Sequence, residues 1–395
     1  MKRANQIYSL AVALFFLGAL SPLVLFAAGS PEPMISDADI IRVIKENAYD
    51  LKDVFDKSCG VCHSADAKYP VLGATEGFEH SGHKLGFNRE DENSYYANGR
   101  GCQQCHTSEG FIEYVSTGSV DPDDYVAYPS QIGCFSCHEP HETGDFSLRT
   151  TKAVTLKSGD VYNKGDGNLC ANCHLSRGEA AAIVVPTPAN RVSAYFGPHH
   201  GPEADMFLGV NAYEYPGKTY TNSVHTDVIV DSRVSCHLAL PEGRYSLSPK
   251  VGGHSFYLKG EVHGSEKLNL AACASCHDGI KQEGEFFDIK QVDYDNDGTV
   301  ETVQGEVEGL LHLIVNEDGT GVLQTVNPPA FKADGTWNRT QSEELRSADV
   351  IGAIYNYKFV EEDRSNGIHN TNYTIQVLYD TISALDSSFD TSKRP

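Results

Sequence analysis

Five times along this chain two cysteines separated by two residues are followed at once by a histidine: Cys59-Cys62-His63, Cys102-Cys105-His106, Cys134-Cys137-His138, Cys170-Cys173-His174 and Cys273-Cys276-His277. This is the attachment pattern of a c-type haem. The two thiols add to the porphyrin vinyl groups, and the adjacent histidine is held against one face of the iron. A single copy reads equally well as half of a zinc site. Five copies with the histidine always in the same place point to covalent haem. From Cys59 to His174 the motifs recur about every 30 to 45 residues, too closely for each to have its own apolar core. With 395 residues at only 40% hydrophobic content, the chain needs the porphyrins as core material. The expected fold is mainly α with much irregular loop, built on closely stacked haems, with a helical C-terminal part.

There are eleven cysteines. Ten belong to the five motifs, so haem attachment leaves no pair for a disulfide. The eleventh stands in Arg233-Val234-Ser235-Cys236-His237, where an arginine replaces the first cysteine of the pattern. Two readings are open: a sixth haem with one thioether at Cys236 and His237 on its iron, or a decayed site with a free buried thiol.

An electron-carrying haem iron is commonly closed on both axial faces. Of sixteen histidines, ten lie outside Cys-His pairs. Methionine is scarce, with three in the chain, so bis-histidine ligation is the default. Candidate distal ligands are one of His80 and His83, His141, one of His199 and His200, His225, His254 and His369. Two glycines precede His254 and let backbone approach a flat macrocycle.

The N-terminus reads as a secretory signal over residues 1–29: Lys2 and Arg3, an apolar run from Ile7 to Phe26, then small residues. An uncleaved anchor is the alternative, because the run nearly suffices to span a bilayer. After cleavage no stable membrane span is expected, and the protein is placed in the periplasm or outside the cell. The net charge of −23 argues against nucleic acid or anionic lipid as partners and suits redox protein partners.

Residues 30–290 are read as a haem-binding body and 291–395 as a calcium-loop-like segment followed by helices. Apolar spacing predicts helices over Ser36–Lys57, Glu301–Val315, Ser342–Glu361 and Thr371–Leu385, and a short one over Leu268–His277. Val224–Val230 and Tyr245–Val262 read as short strands. Asp293, Asp295, Asp297, Gly298 and Glu301 resemble the opening of a Ca2+ loop, although the twelfth position is Gln304 rather than glutamate. An ordinary acidic turn is the other reading.

The motif series, Cys137-His138-Glu139-Pro140-His141, Pro198-His199-His200-Gly201-Pro202-Glu203-Ala204-Asp205 and Asp363-Arg364-Ser365-Asn366-Gly367-Ile368-His369-Asn370 together resemble the multihaem cytochromes c, in the group of cytochrome c-554 and the pentahaem ammonia-forming nitrite reductases. The resemblance implies stacked haems passing single electrons. Every complete motif here ends in histidine, whereas the catalytic haem of those reductases has a lysine there. The leading expectation is an electron carrier with five or six mostly bis-histidine haems. The alternatives are an oxidoreductase acting on nitrite, hydroxylamine or tetrathionate at one open haem, and a homo-oligomeric subunit of an extracellular cytochrome filament.

Overall fold

Three capping residues start the long helices of the C-terminal part. Thr302, Ser347 and Asn370 each accept a hydrogen bond from a first-turn N–H, on Gly305, Val350 and Tyr373. The helices they open are Val303–Ile314, Ala348–Asp363 and Thr371–Leu385. The computed structural model describes residues 71–85, 102–121, 129–140, 146–231, 234–241, 248–274, 276–277 and 292–395. The expected signal segment and the Ser36–Lys57 helix lie outside them.

The described residues belong to one unit, Pro70–Pro395, mostly helical with long irregular connections. Its strands are short and form three two-stranded antiparallel ladders: Val154–Thr155 with Val161–Tyr162, Thr187–Pro188 with Leu345–Arg346, and Lys259–Val262 with Ser265–Leu268. Among the described residues no helix is long and apolar enough to cross a membrane.

The main apolar core lies around the C-terminal helices. Val307, Leu310 and Ile314 pack with Ile351, Ile354, Phe359, Ile375, Leu378 and Ile382. Ala180, Val184, Val192, Met206 and Ala212 join the same cluster, so residues on both sides of position 290 share one core. Residues 71–150 contrast sharply: Phe111 is the one hydrophobic residue described as buried there, beside buried Ser81, Gln103, Thr107 and Ser136. A smaller apolar cluster of Val154, Leu156, Tyr162, Ala171, Ala204 and Phe207 surrounds the fourth motif, whereas the described residues of 71–150 contribute little to either core.

Two elements depart from the sequence expectation. The helix expected from Ser342 begins at Ala348, because Leu345 and Arg346 are drawn into pairing with Pro188 and Thr187. Val224–Val228 is helical rather than extended. Its valines favour a strand on propensity, but tertiary bonds at its start override that preference. The Ser223 N–H donates to Asn370 Oδ1 at 2.9 Å, and His225 Nδ1 lies 2.9 Å from the Ile368 carbonyl oxygen.

Candidate haem-ligand sites

Each described motif carries a short helix at or beside its first cysteine. Gln103–His106, Cys134–Cys137, Gly167–Ala171 and Ala271–Ala274 are these helices. In each motif, the histidine N–H donates to the carbonyl of the first cysteine, at 2.9 to 3.0 Å. The bond holds each histidine within one turn of its first cysteine. Cys59, Cys62, His63 and His141 lie outside the described residues.

The fold brings a second histidine opposite each described motif histidine. His106 faces His199 with ring centres 6.5 Å apart, His138 faces His254 at 6.3 Å, His174 faces His83 at 6.0 Å, and His277 faces His225 at 6.1 Å. His237, of the single-cysteine motif, faces His369 at 6.3 Å. A metal bonded to two imidazole nitrogens at about 2 Å each leaves the ring centres about 6 Å apart. All five pairs have that separation. The donor set and its spacing therefore fit iron held between two histidines.

Five of these ten rings hold a partner on Nδ1 as follows. His138 Nδ1 lies 2.8 Å from the Phe146 carbonyl oxygen, His237 Nδ1 2.9 Å from that of Phe256, and His225 Nδ1 2.9 Å from that of Ile368. His174 Nδ1 meets Glu203 Oε2 at 3.1 Å, and His369 Nδ1 meets Asp363 Oδ1 at 2.7 Å. An acceptor on Nδ1 fixes the proton there and leaves the lone pair on Nε2, the form a metal takes. Burial acts in the same direction. It lowers the pKa of His254 and His106, and pushes His199 down to about 4 with help from the charges of Arg177 and His200. These rings stay neutral, as ligation requires.

The sites are close neighbours. The Cys105 and Cys173 thiols share a hydrogen bond that lowers the pKa of Cys105, while the same bond and burial raise that of Cys173. Gln104 Nε2 donates to the Asn172 carbonyl at 3.0 Å, so the second and fourth motifs abut. Burial, with the neighbouring Cys170 and Cys134 sulfurs, pushes the Cys137 thiol up to about 12. Cys273 is pushed up to about 11 by burial and by Cys236 and Cys276.

Two junctions tie these neighbours together. Phe256 is the first: its ring lies 4.8 Å from the His83 ring and 5.9 Å from that of His254, and its carbonyl accepts from His237. Three ligand sites meet there. The second is the end of the Ala348–Asp363 helix and the loop after it. Glu362 holds His200 Nδ1 at 2.9 Å, Asp363 holds His369, and the Ile368 carbonyl holds His225. Sequence reasoning missed Phe256, Glu362, Asp363 and Glu203. Only the last two carried a signal, since they sit inside the quoted histidine-bearing stretches.

Gly77 sets one of these approaches. It belongs to the Val71–Glu79 helix, which leads to His83, and a Cβ there would lie 3.1 Å from the Ser255 nitrogen and 3.3 Å from the His254 carbonyl carbon. Gly77→Val is expected to push the two segments apart and weaken ligation by both His83 and His254. Oxidised protein should then show a mixture of low- and high-spin iron; a wholly low-spin spectrum would refute this role.

The remaining candidates are placed differently. His80 turns Nδ1 back onto the Glu76 carbonyl at 2.8 Å. His200 stands beside His199, ring centres 4.8 Å apart, with its side chain largely exposed. Asp293, Asp295 and Asp297 each offer an oxygen within 4.8 Å of the others. Glu301 is not in that group, and its N–H donates to Glu306 Oε1. Burial and the neighbouring carboxylates push Asp295 up to about 6. The Lys393 ammonium meets Asp293 at 2.9 Å.

Residues 43–184 match the family of outer membrane cytochrome MtrC/MtrF-like proteins, domains II/IV; the matched stretch contains four of the five complete motifs. Among solved structures, the chain is similar to the outer cell wall cytochrome OcwA, at 21% identity and a TM-score of 0.44, over 82% of this chain and 51% of that one. It is also similar to an undecahaem cytochrome from the S-layer of Carboxydothermus ferrireducens, at 17% identity and a TM-score of 0.38, over 78% and 40%. The chain spans about half the length of these two or less. No curated protein matches the chain at a significant level. Motifs and family match agree on the class, a multihaem electron-transfer cytochrome. The narrower cytochrome c-554 and nitrite reductase lineage finds no support in these matches.

Proposed function

We propose that this chain is an exported c-type cytochrome that carries electrons between redox proteins, with every iron closed by histidine on both faces. One observation supports this reading above the rest: each described motif histidine stands about 6 Å, ring centre to ring centre, from a second histidine. Haem c, when bound, supplies reversible one-electron exchange at iron. The protein's own contribution is positional. The cysteines at 102, 105, 134, 137, 170, 173, 273 and 276 anchor, and the paired histidines ligate. Glu203 and the carbonyls of Phe146 and Ile368 hold ring tautomers. Two fixed imidazoles leave little to rearrange when the charge on iron changes, which favours transfer over chemistry at iron.

The oxidoreductase alternative needs one axial position open to a small molecule. Electron paramagnetic resonance of the fully oxidised protein separates the two readings. Wholly low-spin iron is expected for the carrier. A high-spin signal amounting to one haem would overturn it in favour of catalysis on nitrite, hydroxylamine or tetrathionate.

Export rests on the signal-like start of the chain and on the outer membrane cytochromes that its motif-bearing stretch matches. Calcium at Asp293, Asp295 and Asp297 belongs to this proposal as well. A hard cation would offset the burial and the neighbouring carboxylates that together raise Asp295. Titration calorimetry with Ca2+ should show one site that is lost in Asp295→Asn; no heat with the unaltered protein would exclude it.

A further inference from the structure

The single-cysteine motif has the same ligand geometry as the complete ones. Cys236 and His237 close the short helix Val234–His237, and the His237 ring faces that of His369 at 6.3 Å. Both rings have Nδ1 tied to an acceptor, the Phe256 carbonyl at 2.9 Å and Asp363 Oδ1 at 2.7 Å. Both therefore carry the Nε2 lone pair. The loop carrying His369 is built to hold it. Asp363 is almost wholly buried, the Ser365 hydroxyl donates to Asp363, and Ser365 Oγ accepts from the His369 N–H at 3.2 Å. Two histidines in ordinary core packing do not require both tautomers to be fixed in this way.

We infer that a sixth haem is held here by one thioether, from Cys236, with His237 and His369 on its two faces. This rests on the haem-binding reading of the complete motifs. The attachment is an addition across one vinyl group. The Cys236 S–H bond breaks, sulfur bonds one vinyl carbon, and the hydrogen goes to the other carbon, with no net oxidation. Arg233 stands where a second thiol would be, so the other vinyl stays unsaturated.

Asp363 gives this site a further property. A buried carboxylate on Nδ1 makes an imidazole a stronger donor than a neutral carbonyl does. The iron between His237 and His369 is therefore held at a lower potential than the iron between His138 and His254, whose identified Nδ1 partner is the Phe146 carbonyl.

Intact-mass measurement of the mature protein is the first test. Six haems are expected, and five would overturn the inference. A mass with no haem would instead remove the reading on which it rests. Pyridine haemochrome spectra should show one haem with a retained vinyl group, absorbing at longer wavelength than the rest. In Cys236→Ala five haems should stay covalent while acidic organic solvent extracts the sixth; six haems still covalent would rule out Cys236 as the anchor. Should that variant fail to fold, Asp363→Asn serves in its place. It should retain six haems while one midpoint potential rises, and unchanged potentials would remove Asp363 from the site.

Discussion

His254→Ala is expected to convert one low-spin iron to high-spin without changing the number of haems bound. The thioethers at Cys134 and Cys137 and the proximal His138 do not depend on His254, so the covalent count stays fixed. Removing the ring takes away the partner whose centre lies 6.3 Å from that of His138, and one axial position opens. Imidazole in solution should enter that position and restore the low-spin spectrum, because the site has lost a ring and kept its walls. The midpoint potential of that iron should rise, since loss of a strong donor disfavours the oxidised form. Redox titration followed by paramagnetic resonance reads both effects. A spectrum unchanged by the substitution would show that His254 does not ligate, and the ring pairing would lose its meaning as a guide to ligands.

Protein prepared without haem is expected to lose the order of its described residues within 71–150 selectively. Residues 71–150 bury one described hydrophobic side chain, Phe111, far too little to offset about 1–2 kcal/mol of backbone entropy per residue. The Val303–Ile314, Ala348–Asp363 and Thr371–Leu385 helices bury Val307, Leu310, Ile351, Phe359, Leu378 and Ile382 without help from any motif. Asp380, buried between them, is paired with Arg394 at 2.8 Å. In haem-free protein, amides of these helices should retain hydrogen-exchange protection on the order of 10^4, while those of 102–121 and 129–140 exchange nearly as fast as unfolded chain. The loop at 363–370 should loosen too, because His369 and His225, which the Ile368 carbonyl holds, then have no iron to bind. Equal protection in 102–121, 129–140 and the three helices would show that 71–150 holds its fold without haem and would overturn this expectation.

Much of this site was legible because its chemistry is local. A cysteine pair followed by histidine needs one helical turn to act, so Cys102, Cys134, Cys170 and Cys273 declare themselves without knowledge of the fold. The long C-terminal helices were legible for a similar reason. Apolar residues at helical spacing and side-chain caps such as Thr302 act within a few positions of each other, and Thr371–Leu385 forms over its full expected range. The start of the Ala348–Asp363 helix was misplaced because Leu345 and Arg346 answer to strand partners about 160 residues away, and local periodicity does not register them. Val224–Val228 is a helix for a similar reason, since Asn370 and Ile368 hold its first turn.

The histidines outside the motifs belong to the other category. The sequence placed His83, His199, His225, His254 and His369 among the candidates, because an iron closed by histidine needs more rings than the motifs supply. Which ring meets which motif was decided by tertiary structure alone. His83 meets His174 across 91 positions, while His237 meets His369 across 132. Nothing in the spacing of those residues encodes that choice. It is made by the packing of Gly77 against His254, by Phe256 standing among three sites, and by the buried end of the Ala348–Asp363 helix presenting Glu362 and Asp363 to two different rings. The turn that joins a cysteine pair to its histidine is made by chain neighbours, so sequence determined it; the pairing of two histidine rings is a contact between distant segments, so only the folded chain could.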